Sequence, residues 1–179
     1  FHDARTPFAT LQWDVAPLIA GHTAQGPVLA ITNPAVPEDP VGTAQLATPQ
    51  NADVALERAQ SWASASPGAR RQGLLRAAAL DEENAGEIFA VLCREAGKTA
   101  PDAVSEIREA VDFLRFYGAE AVRLGDLPAR GVITCISPWN FPLAIYTGQI
   151  AAALAAGNGV LAKPADPTPI TAIIAARLL

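Results

Sequence analysis

The chain has 179 residues, of which 50% are hydrophobic and 17% charged, with a formal net charge of −5 and two cysteines. This composition is typical of a folded globular protein and excludes a disordered chain. Lys and Arg form no basic cluster, so a nucleic-acid partner is not expected. Two cysteines are too few for a disulfide framework, which indicates reduced thiols and a cytoplasmic location.

Residues 1–50 are rich in proline and glycine and are predicted to form an N-terminal arm with short β-strands. Two β-prone stretches, Pro27–Thr32 and Val41–Thr48, are separated by the turn-forming sequence NPAVPEDP. This order predicts a hairpin or two neighbouring strands.

Residues 51–125 are predicted to be mainly helical. Asn51 is a plausible N-cap for a first helix whose apolar positions continue to Trp62. Pro67 begins a second helix, on which Arg70, Arg71 and Arg76 are predicted to face water.

A third helix is predicted to end near Gly97, and the clearest helix of the chain begins after Pro101. Its apolar residues recur at helical spacing and predict one buried stripe. Glu106 and the neighbouring charged residues are placed off that stripe. The stripe consists of Ala103, Ile107, Ala110, Val111, Leu114 and Tyr117.

Residues 131–179 alternate between strand and helix signals. GVITCIS predicts a fully buried strand, followed by a helix from about Leu143 to Ala156, the strand GVLAKPA and a helix from about Ile170. Short turns between these elements predict a parallel βαβα unit. The helical part of this uncharged region is too short for a membrane span, so no span is expected.

The sequence SPWNFP lies where the first predicted strand of this unit gives way to a helix. A helix starting at Pro142 would offer free backbone N–H groups and the positive end of its dipole. Asn140, just before it, is able to donate its amide N–H to an oxygen that gains negative charge during acyl or aldehyde chemistry. Asn is also a good N-cap, so the residues themselves favour a catalytic donor and a helix cap equally.

The end of the second strand, LAKPADPTP, carries a cation and an anion three residues apart. Lys163 and Asp166 are able to hydrogen-bond vicinal hydroxyls such as those of a ribose. A solvated loop pair explains the same spacing equally well. Ligands of parallel sheets bind at the carboxyl ends of strands, where both motifs fall.

Other candidate motifs favour structural interpretations. REAGKT lacks the first glycine of a phosphate-binding loop and indicates a helix end and a turn. Cys93 and Cys135 have no neighbouring base or cation in sequence and are interpreted as packing residues. His2 and His22 have no partner acid and are predicted to lie on the surface. No Cys or His stands at metal-ligand spacing, so no metal site is expected.

The sequences PWNFP, AAGN and KPA, with REAGKT and EIREAVDFLRFY upstream, resemble the aldehyde dehydrogenase superfamily. Within this superfamily, these motifs are similar to those of the L-glutamate γ-semialdehyde (pyrroline-carboxylate) dehydrogenase part of bifunctional proline utilisation A. The resemblance covers about Pro17 to Leu179. It implies the N-terminal part of an α/β, Rossmann-like NAD-binding domain, preceded by short β-strands and a helical segment. Its first βαβα unit is residues 131–179.

The resemblance also implies roles for individual residues. Asn140 matches the family's oxyanion-hole asparagine, and Lys163 matches the lysine that binds the adenosine ribose of NAD. Asp166 stands where a longer glutamate is usual. The segment along the nicotinamide cofactor is matched by Ile136, Ser137, Pro138 and Trp139.

The implied reaction is the NAD-dependent oxidation of glutamate γ-semialdehyde to glutamate in proline catabolism. The implied partners are an aldehyde substrate, a second copy in a homodimer or larger oligomer, and a fused proline dehydrogenase domain. The chain is expected to end before the family's catalytic cysteine and to be incompetent as a fragment. Two alternatives stay open: a non-catalytic structural or oligomerisation module, and a dehydrogenase for another aldehyde.

Overall fold

The computed structural model describes residues 6–125 and 127–179. Residues 1–5 of the predicted arm, with His2, lie outside the described residues. After a short 3₁₀ turn at Thr6–Phe8, five strands follow in this part of the chain. They are β1 (Trp13–Val15), β2 (Leu18–Ile19), β3 (His22–Thr23), β4 (Val28–Asn33) and β5 (Val36–Gln45).

The predicted hairpin is present, but its turn is much shorter than the sequence suggests. β4 pairs antiparallel with β5, and β1 pairs parallel with the far half of β5. The predicted turn residues Val36–Pro40 are therefore strand, and β5 ends at Gln45 instead of Thr48. Prolines are tolerated there because β1 pairs with residues 42–44 of β5. Within the described residues, the proline-containing end of β5 is therefore hydrogen-bonded to one strand, β4.

Four helices follow between residues 49 and 124. They are α1 (Pro49–Arg58), α2 (Pro67–Glu83), α3 (Ala85–Glu95) and α4 (Ala100–Leu124). The predicted N-cap Asn51 is wrong: Thr48 is the cap, and Asn51 is the third helical residue that completes a reciprocal capping box. The helix also ends before Trp62, and none of its residues is buried.

Two charged residues are buried although Arg70 was predicted to face water and Glu106 to lie off the apolar stripe. Arg70 of α2 is 4% exposed and donates to the backbone oxygens of Ala65 and Gly125. Glu106 of α4 is 1% exposed. Both predictions were wrong because a charged side chain is buried when the fold supplies partners, and those partners are contributed by tertiary packing. The stripe itself is confirmed, with Tyr117 half-buried.

The predicted βαβα unit is confirmed in residues 131–179. It consists of β6 (Val132–Ile136), α5 (Ala144–Ala155), β7 (Gly159–Lys163) and α6 (Pro169–Leu178). β6 and β7 pair in parallel from Val132 opposite Gly159 to Ile136 opposite Lys163. The prediction that β6 is fully buried was wrong for the described chain, since Cys135 is its only buried residue there.

The main hydrophobic core joins the N-terminal strands to two of the helices and to the last unit, whereas α2 packs in a second cluster with α4 and α5. The main core contains residues from β1, β4 and β5, from α3 and α4, and from the βαβα unit. α4 packs against both α2 and α5 and so brings its charged residues next to the last unit. The α/β prediction is confirmed, whereas the division into 1–50, 51–125 and 131–179 stays a prediction.

Candidate active site

The ends of β6 and β7 lie side by side at one edge of the parallel pair. Ile136 is opposite Lys163, and the backbone N–H of Ser137 donates to the Lys163 oxygen at 3.2 Å. The structure therefore brings together the two sequence motifs that the βαβα pattern assigned to one edge. Helix N-termini of such units point to the same edge.

The corner from Ile136 to Phe141 presents apolar rings and one amide to the outside. Ile136 is 65% and Trp139 58% exposed, while the Ser137 side chain is buried and Pro138 is half-buried. Asn140 is exposed between Trp139 and Phe141. The corner thus combines a hydrogen-bonding amide with an apolar surface on which a flat ring is able to lie.

Helix α5 starts within one residue of the predicted Leu143 and later than Pro142, so Asn140 does not occupy its N-cap position. Its first residue is Ala144 and its N-cap position is Leu143, with no side-chain cap from that residue. The prediction that the helix begins at Pro142 is wrong. Asn140 lies three residues before the N-cap, so the interpretation of Asn140 as the helix cap is wrong as well.

The N-terminus of α5 is capped from another helix. Glu106 Oε2 accepts hydrogen bonds from the backbone N–H groups of Leu143 and Ala144, both at 3.1 Å. Its other oxygen, Oε1, lies 2.7 Å from Lys98 Nζ. The expectation of free N–H groups at this helix start is therefore wrong for Leu143 and Ala144.

Sequence reasoning missed Glu106, although a signal was present. Glu106 is three residues after Ala103 and four before Ala110, which places it on the buried stripe of α4. An acidic residue at a core position needs a partner. That combination pointed to a buried carboxylate with a dedicated set of donors.

A second buried carboxylate, also missed, caps α6 in the same manner. Glu95 is 3% exposed and accepts from the N–H of Ile170 at 2.7 Å, and from the N–H and hydroxyl of Thr171. Burial raises the pKa of Glu95 to about 7, against the opposing effect of the Thr171 and Ile170 hydrogen bonds. REAGKT is therefore a helix end, as predicted. Its glutamate, Glu95, accepts hydrogen bonds from the residues that directly follow the second motif.

Lys163 and Asp166 form a direct pair on the surface. Lys163 Nζ lies 3.0 Å from Asp166 Oδ1 and also donates to the Pro164 oxygen at 2.9 Å. Both side chains are largely exposed, so the pair adds little stability. An ammonium donor beside a carboxylate acceptor matches the hydrogen-bonding needs of two adjacent hydroxyls.

The remaining candidates behave as packing or surface residues. Cys135 is buried on β6, and burial raises the pKa of its thiol above the ordinary value. His22 is exposed, as predicted. Within residues 6–125 and 127–179, no group of His, Cys, Asp and Glu is arranged to hold a metal ion. No helix in the described part of the chain is both long and apolar enough to cross a membrane.

Comparisons with known proteins agree with this architecture. The model of the aldehyde dehydrogenase family matches residues 22–179. The chain is 47% identical over 172 residues to the bifunctional protein PutA of Escherichia coli, which covers 92% of this chain and 13% of that protein. It is 36% identical over 178 residues to the 1-pyrroline-5-carboxylate dehydrogenase of Bacillus cytotoxicus, which covers 87% of this chain and 34% of that protein.

A solved structure shows the same fold. The 1-pyrroline-5-carboxylate dehydrogenase from Thermus with bound NAD superposes with a TM-score of 0.90 at 28% identity. The superposition covers 99% of this chain and 38% of the Thermus chain. The chain thus spans between 13% and 34% of the length of the two curated relatives named above.

Proposed function

Since the chain belongs to the aldehyde dehydrogenase family, we propose that it forms part of an NAD-dependent enzyme that oxidises L-glutamate γ-semialdehyde to L-glutamate in proline catabolism. The observation that carries the proposal is the parallel register of β6 and β7. It sets the corner with Asn140 beside the Lys163–Asp166 pair. The identity of the aldehyde is supported by the names of the relatives in both comparisons.

The residues at this edge fit NAD. Lys163 Nζ donates and Asp166 accepts, which suits the two hydroxyls of the adenosine ribose. Ile136 and Trp139 expose apolar surface, and with Ser137 and Pro138 they form the proposed wall along the cofactor. When bound, NAD supplies the hydride acceptor for the oxidation.

Asn140 is the proposed catalytic residue of this chain. Its amide N–H donates to the aldehyde oxygen, which gains negative charge when a nucleophile attacks the carbonyl carbon. A donor fixed in advance stabilises that charge without having to reorganise during the reaction. Asn140 is suited to this because it does not cap the helix behind it.

The nucleophilic thiol of the reaction is proposed to be neither Cys93 nor Cys135. Cys135 is buried within β6, where burial raises the pKa of its thiol and disfavours the reactive thiolate. A cytoplasmic location, a homodimer or larger assembly and a fused proline dehydrogenase domain complete the proposal. Intact mass of the native protein tests whether it extends beyond these 18.6 kDa.

The deciding experiment measures NAD-dependent turnover of glutamate γ-semialdehyde by the full-length native protein and its Asn140→Ala variant. We expect the variant to lose about 10²–10³-fold in kcat while NAD binding is retained. An unmodified protein that binds NAD but prefers an aldehyde without a carboxylate would favour the alternative substrate. A protein that neither binds NAD nor turns over would favour the non-catalytic module.

A further inference from the structure

Asn140 lies on backbone that belongs to neither a strand nor a helix. The segment 137–143 connects the end of β6 to the start of α5. A side chain on such a segment keeps a fixed direction only if both ends of the segment are held. At the upstream end, the Ser137 N–H donates to the Lys163 oxygen, which ties the corner to β7.

The downstream end is held by Glu106. One carboxylate oxygen accepts from Leu143 and Ala144, the residues that immediately follow the segment. Hydrogen bonds from two N–H groups to one ionised oxygen are stronger than neutral ones. These hydrogen bonds also fix the direction in which the chain enters α5 from Asn140.

Lys98 adds a second contact to the same corner. Its Nζ lies 2.7 Å from Glu106 Oε1 and 4.4 Å from the ring centroid of Phe141, the neighbour of Asn140. The ammonium therefore joins the buried carboxylate to the aromatic residue beside the catalytic amide. A cation over an aromatic face is attractive, and more so where water is partly excluded.

This arrangement is a costly way to cap a helix. A helix start is commonly satisfied by a Ser, Thr, Asp or Asn in its own chain segment, as Thr48, Ser66 and Thr99 do in α1, α2 and α4. Burying a carboxylate and an ammonium carries a large desolvation penalty. The use of Glu106 instead ties the orientation of the Asn140 segment to α4.

We propose that Glu106, held by Lys98, is a positioning residue for Asn140: its contacts with Leu143 and Ala144 fix the segment from which the amide points at the reacting oxygen. The proposal rests on the proposed function of Asn140. Glu95 provides the matched comparison, because it caps α6 with the same chemistry at the second motif.

The test compares Glu106→Gln with Glu95→Gln in the full-length protein. Gln keeps the size of the side chain but replaces one accepting oxygen by a donating NH₂ group. For Glu106→Gln we expect kcat to fall by about 10- to 100-fold, with the dissociation constant of NAD unchanged. Deuterium exchange of peptides covering residues 137–146 should become faster. For Glu95→Gln, which acts at the other motif, we expect weaker NAD binding, a smaller loss of kcat than in Glu106→Gln and unchanged exchange over residues 137–146.

Equal losses of kcat in both variants, or unchanged exchange over residues 137–146 in Glu106→Gln, would overturn the proposal. If Glu106→Gln does not fold, Lys98→Gln takes its place, since it preserves both amide contacts of Glu106 and is expected to give a smaller loss in the same direction. Glu106→Asp, which keeps the charge, should recover part of the exchange protection. Absence of turnover in the unmodified protein contradicts the proposed function, and the exchange data then decide the positioning role alone.

Discussion

Glu95 Oε2 accepts hydrogen bonds from both the backbone N–H and the hydroxyl of Thr171, at 2.7 and 2.6 Å. The acid lies at the end of α3 and its partner in the first turn of α6, 76 residues later in the chain. Together with Glu106 at α5, it makes a pair of buried carboxylates that cap both helices of the βαβα unit. The helical segment thereby fixes both motifs of the candidate active site.

Removing the Thr171 hydroxyl should destabilise the protein. Thr171→Val preserves shape but deprives the buried carboxylate of one donor, and we expect a loss of about 1.5–3 kcal/mol in the free energy of unfolding. Thr171→Ser keeps the donor and should lose less. Urea unfolding, with equal m-values, measures the free energy of unfolding of both variants. If Thr171→Ser were as unstable as Thr171→Val, the stabilising part of Thr171 would be its methyl group and not its hydroxyl.

Asp81 should make the protein less stable as the pH rises toward neutrality. Burial, with a contribution from Glu82, raises its pKa from 3.8 to about 7. The folded state therefore holds this proton between those values while the unfolded state has lost it, and stability declines with increasing pH across that interval. Glu95, raised from 4.5 to about 7, acts in the same direction.

The Asp81→Asn variant isolates the first of these contributions. Between about pH 5 and about pH 8 the unfolding free energy should fall less in the variant than in the unmodified protein. The difference is expected to be up to about 1.4 kcal/mol for each pH unit between pH 5 and the Asp81 pKa of about 7. Denaturant unfolding at both pH values gives the difference. An identical pH profile in the variant would mean that Asp81 ionises normally in the folded protein.

Replacing the guanidinium group of Arg94 should lower the free energy of unfolding. It contacts both carboxylate oxygens of Asp39, at 3.0 and 2.7 Å, and donates to the oxygens of Leu11 and Pro40. Arg94→Lys keeps the charge but not the fork, and we expect a loss of about 2 kcal/mol or more. Arg94→Met also removes the charge that faces Asp39 and should cost more than Arg94→Lys, although Asp39 is partly exposed and keeps its hydrogen bond from Asn33 Nδ2.

The Asp39 carboxylate provides an independent check on Arg94. Its hydrogen bond with Arg94 holds its pKa below the ordinary 3.8. This contribution to stability is present above pH 3.8 and is lost as the pH falls through the lowered pKa. In Arg94→Met the loss of stability on acidification below pH 3.8 should become smaller, because the folded-state pKa of Asp39 is then no longer lowered. An unchanged acid limb would exclude Arg94 as the cause.

Gly159 at the start of β7 should not accept a side chain. A Cβ there would lie 2.2 Å from the backbone oxygen of Gln60, which cannot rotate away. We expect Gly159→Ala to destabilise by about 1–3 kcal/mol through forced backbone movement. Gly68, exposed in the first turn of α2, is the control, because a Cβ there meets only Ser66 Oγ at 3.9 Å. Gly68→Ala should be neutral or stabilising by about 0.4–1 kcal/mol in thermal unfolding.

The charge of Asp166 should influence the choice between NAD and NADP. A carboxylate suits the ribose hydroxyl of NAD and repels the phosphate that NADP carries at that position. In the full-length protein, Asp166→Asn should weaken NAD binding and narrow the preference over NADP, while Asp166→Glu should keep it. Calorimetric titration with each dinucleotide measures this. Equal affinities across the three proteins would remove Asp166 from the proposed ribose site.

Much of this architecture was readable from local patterns. Helix α4 was predicted because apolar residues recur at helical spacing. The meeting of the two motifs, with Ile136 opposite Lys163, followed from the rule that parallel strands end at one edge. The prolines of β5 misled the prediction, since proline suggests a turn unless one knows that the strand lacks a partner on that side. Which part of β5 pairs with a second strand depends on the arrangement of the whole sheet, which local sequence does not determine.

The sequence by itself determined the order of elements, the parallel unit and the position of the two motifs, because these depend on local periodicity and on turns. Only the tertiary structure decided which charged side chains are buried. Arg70, Glu95 and Glu106 are buried because donors or acceptors from distant parts of the chain compensate their desolvation. One of these long-range contacts brings the Glu106 carboxylate from α4 to the start of α5. The helix is capped by Glu106, and Asn140 has no capping role.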